Sequence, residues 1–145
     1  MSKTFEPDLP STFYRVTSRA LIFDGDDSLI IGQDEAGGWQ LPGGGMEDGE
    51  TFEACLNREV REELGVEVSM IGPVAFIYTA PSARGYTILR IAARAEVMSL
   101  DVKLTDEFVS YKAVSKLEFL QQEFISAEGN IHDYVDQIWP TSVKS

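Results

Sequence analysis

The sequence predicts a mixed α/β domain, a sheet covered by helices, and three observations predict it. β-branched and aromatic residues gather in runs of strand length at 13–23, 28–33, 74–80 and 87–97. Between the second and third runs lies a single helix-length segment, 52–64, whose apolar residues recur at helical spacing. The 145 residues are 43% hydrophobic and 25% charged, which suits one core rather than two.

Taken in order, "MSKTFEPDLPST" (1–12) reads as a loose tail without the basic and apolar regions of a secretion leader, so the expected domain is 13–145. "FYRVTSRALIF" is the first strand, "DGDD" a turn, and "SLIIGQ" its expected hairpin partner. A long loop dense in glycine and acid, "DEAGGWQLPGGGMEDGE", leads to the helix. Thr51 suits its N-cap, Glu53 the positive end of its dipole, and Gly65 the position just past its C-terminus. "VAFIYTA" and "TILRIAARAEV" are strands on either side of the turn "PSARGY". Alternation in the second puts Leu89, Ile91, Ala93, Ala95 and Val97 on one face and Arg90, Arg94 and Glu96 on the other, the pattern of a half-buried strand. "FVSYKAV" (108–114) is a further short strand, followed by a short helix around "KLEFLQQ". Ile131, Tyr134, Val135, Ile138 and Trp139 keep helical spacing behind Asn130 as a candidate N-cap; His132 lies outside that stripe and reads as a surface residue.

The net charge of −12, from 24 acidic and 12 basic residues, repels polyanions and argues against nucleic acid as a partner. A small anionic substrate fits only if cations neutralise its site. The one cysteine, Cys55, excludes an intrachain disulfide and falls on the apolar helix stripe, where a core role is expected. No apolar run approaches a membrane span. A cytoplasmic protein without a membrane partner is expected, monomeric or homodimeric.

The helix carries the first hint of chemistry in "REVREELG" (58–65). On a wheel of about 100° per residue with Phe52 at zero, Leu56, Val60 and Leu64 fall at roughly 40°, 80° and 120°. Glu63 lands at roughly 20° and Glu59 at roughly −20°, inside that stripe, while Asn57, Arg58 and Arg61 take the far side. No arginine or lysine of the helix is expected on the face of the two carboxylates. Burying an unpaired carboxylate costs several kcal/mol. A hard ion with oxygen ligands, Mg²⁺ or Mn²⁺, is the economical solution. "PGGG" just ahead of the helix lets backbone approach a metal or phosphate closely.

These glutamates belong to a longer pattern, "GGMEDGETFEACLNREVREELGV" (44–66): Gly44, five residues, Glu50, seven residues, Arg58-Glu59-Val60, one residue, Glu62-Glu63, one residue, Gly65-Val66. It resembles the complete signature box of the Nudix hydrolases. Chance would produce those nine positions with odds on the order of 10⁻⁷ to 10⁻⁸. "WQLPGG" resembles the usual lead-in, and the likeness extends loosely over 13–120, with Tyr111 where the family often has tryptophan.

The resemblance implies a Nudix-type α/β/α sandwich with a mixed sheet and a loop-helix-loop active site. It implies a Mg²⁺-dependent (or Mn²⁺-dependent) pyrophosphohydrolase that cleaves a nucleoside diphosphate linked to another moiety by water attack on phosphorus. Carried over by position, Glu59 and Glu63 are the main metal ligands, Glu62 a further one, and the Gly43 carbonyl another; Arg58 and Glu50 orient the cage. Glu62, Glu63, Asp106 and Glu107 all qualify as general base, with Glu107 favoured as base or extra ligand. Arg19, Arg84, Arg90 and Arg94 are candidates for phosphate, each more readily an ordinary surface arginine. Pro81, fifteen residues after Val66, points weakly to ADP-ribose; nucleoside triphosphates, nucleotide sugars and dinucleoside polyphosphates stay open. The rival reading is a nucleotide-sensing module that keeps the fold without turnover.

Overall fold

The computed structural model describes residues 12–140, so the expected tail lies almost wholly outside them. Three strands form a mixed sheet in the order β1 (Tyr14–Leu21), β5 (Thr87–Val97), β4 (Val68–Pro81). β1 runs parallel to β5 and β4 antiparallel to it. A second, antiparallel sheet has the order β3 (Trp39–Gln40), β2 (Leu29–Gln33), β6 (Ser110–Val114). The long helix α1 (Phe52–Leu64) and the short helices α2 (Lys116–Gln121) and α3 (Val135–Ile138) complete the fold, with 3₁₀ turns at Ser126–Glu128 and Ile131–Tyr134.

Two cores form because both faces of β1 and β2 are apolar. Ala20, Ile22 and Ile30 pack with Leu56, Val60 and Leu64 of α1 and with Phe108. Leu21, Leu29 and Ile31 point the other way, to Phe76, Tyr78, Phe119, Ile131, Ile138 and Trp139. Each fully buried Leu, Ile or Phe contributes about 1.5–3 kcal/mol by leaving water. The result is the expected layering of helix, sheet and helix.

The ends of α1 are as the sequence implies. The Thr51 hydroxyl accepts from the Ala54 amide at 3.1 Å, and Gly65 takes a left-handed conformation (φ 68°) while its N–H donates to Arg61 O. A side chain at Gly65 would also meet the Lys103 carbonyl at 2.5 Å. The segment after β5 is therefore pressed against the end of α1.

Several expectations need correction. β1 and β2 do not continue as a hairpin: beyond the Phe23–Leu29 bridge and the Ile30 N–H donating to Ile22 O, they part into different sheets. Each strand finds a long partner elsewhere, β1 along β5 and β2 along β6. β4 is longer than 74–80, with register shifts between Val68 and Phe76 that bend it along β5. The last strand starts at Ser110, because Phe108 turns into the α1 core. The C-terminal stripe splits into a 3₁₀ turn and a four-residue helix, and Asn130 makes no side-chain cap. His132 is half-buried, edge-on to Phe119, with Nε2 2.8 Å from Gln122 O. β5 is covered on both faces: Arg90 is buried, because a carboxylate from the C-terminal segment meets it there.

Gly32 of β2 shows how tight this packing is, since a Cβ there would lie 2.0 Å from the Phe108 ring. Gly32→Ala is expected to destabilise the fold by about 1–3 kcal/mol, read from the urea midpoint. An unchanged midpoint would mean the ring moves aside freely.

Candidate active site

The site lies where the glycine loop meets α1. Ser18 N–H donates to Gly44 O, and Ala20 N–H to Pro42 O, both at 2.8 Å, so the loop lies along β1 like an added strand. Gly43 sits at φ 138°, and a side chain on it would strike the Ser18 carbonyl at 2.1 Å. A side chain at Gly44 would meet the Glu59 carboxylate at 2.5 Å. At Gly43 the backbone conformation and the Ser18 carbonyl together admit only glycine.

The two inward glutamates are where the wheel puts them. Glu63 is buried, and its Oε1 accepts from the Gly43 N–H at 2.8 Å. Burial pushes its carboxyl well above the usual range near 4.5; the Gly43 N–H and the charge of Arg19 oppose this, and Glu59 and Glu107 add to it. Glu59 is half-buried and raised for the same first reason, with Arg58 opposing. Arg58 also corrects the wheel reading. Its side chain curls over the helix, and Nη1 donates to Glu59 Oε2 at 3.0 Å and to Glu62 Oε1 at 3.1 Å. The other edge of the guanidinium takes both oxygens of Glu50, at 2.6 and 3.0 Å, and Gly45 O at 3.1 Å. That fork holds Glu50 down to about 2.

Glu107 joins from 44 residues beyond Glu63. Carboxylate oxygens of Glu59, Glu63 and Glu107 all lie within 4.8 Å of one another. Thr105 makes the link: its hydroxyl donates to Glu62 O of the helix and accepts from the Glu107 N–H at 3.1 Å. Phe108 anchors the same segment from the next position. Sequence reasoning missed Thr105, whose only signal is its place two residues before the acid. Glu62 is exposed, bound to Arg58 and outside the group of three, as is Asp106. Three carboxylates of which one is desolvated, beside a glycine loop, form a donor set of hard oxygens that suits a small divalent cation.

Of the four candidate arginines, Arg19 and Arg90 are not surface residues: each is 3% exposed. Both face Glu128, itself 0% exposed, with Arg19 Nε at 3.1 Å and Arg90 Nε at 3.2 Å. Register explains the meeting, since Thr17 on β1 and Tyr78 on β4 both pair with Arg90. Burial, and then Arg19, bring Arg90 down to about 10. Burial also works against the charge on Arg19, but Glu128, Tyr78 and Glu63 together more than offset it. Arg94 stacks on Phe23 and donates to Ile138 O, away from the loop. Arg84 lies in the exposed turn after β4. Among the described residues no helix is long and apolar enough to cross a membrane.

The family model described as NUDIX domain matches residues 13–134. A nucleoside triphosphatase NudI of Enterobacter sp. (strain 638) is 57% identical over 42 residues, 28% of this chain and 30% of that one. A protein of the same name from Salmonella arizonae is 38% identical over 92 residues, 57% of this chain and 65% of that one. In both cases the chain covers less than two thirds of the relative's length. The crystal structure of a MutT protein from Methanosarcina mazei Go1 shares the fold, with a TM-score of 0.77 at 24% identity over 90% of this chain and 96% of that one.

A carboxyl whose folded-state pKa is raised stabilises the protein fully below its unfolded pKa and loses that contribution as pH rises through the folded value. Glu63 and Glu59 are both of this kind. In chelator, the melting temperature is therefore expected to fall from pH 5 to pH 8, and Glu63→Gln to flatten most of that slope. A slope unchanged in the variant would locate the desolvated carboxyl elsewhere.

Proposed function

We propose, from the fact that this chain belongs to the Nudix hydrolase family, that it is a Mg²⁺-dependent pyrophosphohydrolase acting on nucleoside triphosphates. The observation that carries this reading is the meeting of Glu59, Glu63 and Glu107 within 4.8 Å beside the glycine loop. The relatives named nucleoside triphosphatases favour that substrate over ADP-ribose and nucleotide sugars.

Glu59 and Glu63 would hold the ion together with the Gly43 carbonyl. The neighbouring Pro42 and Gly44 carbonyls are taken by β1 amides, whereas Gly43 O has no protein donor among the described residues. A bound Mg²⁺ would offset phosphate charge and make a water easier to deprotonate. Glu107 is exposed and its carboxylate accepts no hydrogen bond among the described residues, which favours it as the group that takes the proton from the attacking water. Arg58, locked by Glu50, ties the carboxylates of Glu59 and Glu62 to one guanidinium nitrogen. The Gly43 N–H on one oxygen of Glu63 fixes the direction in which the other can bind. Which phosphorus is attacked follows from how the triphosphate lies across this cage.

The test is a panel of nucleoside triphosphates, ADP-ribose, nucleotide sugars and dinucleoside polyphosphates, incubated with and without Mg²⁺. Nucleoside triphosphates are expected to be turned over, and Glu63→Gln to reduce kcat by at least about a hundredfold. Mg²⁺ should raise the melting temperature of the wild-type chain, because it binds the folded state alone. Nucleotide binding without turnover across the panel would replace the enzyme reading with the sensing module.

A further inference from the structure

Glu128 lies 65 residues after Glu63, on the 3₁₀ turn Ser126–Glu128, and is fully buried. Its two oxygens divide their partners. Oε1 accepts from Arg19 Nε at 3.1 Å and from the Tyr78 hydroxyl at 2.8 Å, with Arg90 Nε at 3.2 Å. Oε2 accepts from the Leu41 N–H at 2.7 Å. If this carboxylate served only to balance buried charge, Oε1 and its cations would suffice. The second oxygen is spent on the loop that enters the active site.

That contact is one of four that grip the same few residues. Pro42 has no N–H, so Leu41 and Gly43 carry successive amide donors of the loop. Leu41 donates to Glu128 and Gly43 to Glu63, both buried carboxylates. From β1, Ala20 and Ser18 hold the Pro42 and Gly44 carbonyls. Between these anchors the Gly43 carbonyl is left without a protein donor among the described residues.

We infer that Glu128 is a positioning residue for the metal cage: by holding the Leu41 amide and Arg19 it sets the loop so that Gly43 meets Glu63 and its carbonyl stays free for the ion. The inference rests on the metal reading above. It goes beyond it in assigning an active-site task to a residue of the C-terminal segment that lies outside the group of three carboxylates. Groups around a ligand that fix its orientation commonly matter tenfold to a hundredfold for metal affinity.

The experiment is a calorimetric titration of Mn²⁺ into the full chain without substrate, for the wild type, Glu128→Gln and Glu128→Asp, with folding checked by circular dichroism. In Glu128→Gln the amide oxygen stays with the arginines and its NH₂ is left facing the Leu41 N–H, donor against donor. Glu128→Asp keeps the charge for the arginines but falls a methylene short of Leu41, so the question can be read even if the glutamine variant does not fold. The expected result is a Mn²⁺ Kd weakened by about tenfold or more in each folded variant, with a lower kcat and little change in substrate KM. Unchanged Mn²⁺ affinity in a folded variant overturns the inference and leaves the metal reading standing. A wild-type chain that takes up no Mn²⁺ overturns the metal reading, and this inference with it.

Discussion

A carboxylate placed among leucines is the constraint from which the rest of this structure follows. Glu63 occupies the apolar stripe of α1 and is nearly as buried as Val60 and Leu64 beside it. Burial alone would drive it neutral or unfold the helix. It is held instead by a backbone N–H, by the field of a buried arginine and, in the reading developed above, by a divalent ion. Each of those partners needs its own support.

The support for the N–H is the glycine loop, and the loop in turn is set by groups far apart in the chain. Gly43 is a glycine because the Ser18 carbonyl stands where a side chain would begin, and at Gly44 a side chain would press on the Glu59 carboxylate. β1 holds the loop's carbonyls, α1 and the C-terminal 3₁₀ turn hold its amides. A mobile stretch of this composition has become a rigid edge of the site because nearly every polar group in it is committed. Rigid placement of ligands is what allows binding energy to be used for chemistry rather than for ordering the site.

The buried cluster of Arg19, Arg90, Glu128 and Tyr78 sits behind this edge. Two guanidiniums share one carboxylate, so the cluster keeps a residual positive charge, some of which reaches Glu63. An ion pair this deep is weak evidence for stability, since the cost of desolvation rivals the attraction. Its geometry, joining β1, β5, β4, the loop and the C-terminal segment, fits a role in alignment better than one in strength.

What the sequence by itself determined is local. The helix, its caps, the inward direction of Glu59 and Glu63 and the need for a counter-charge all follow from about 100° per residue and the cost of burying charge, and the nine-position pattern carries the family. Tertiary structure decided the rest, because it depends on which distant segments share a face. Glu107 reaches the site only through Thr105 on the helix end and Phe108 in the core. Arg90 looks like the solvent side of an alternating strand until Glu128 arrives to cover it. Glu128 itself, in "ISAEGN", has no pattern around it, since its place comes from a fold that closes the C-terminal segment over β4 and β5. Spacing along a chain encodes what one element presents; only packing determines what that element meets.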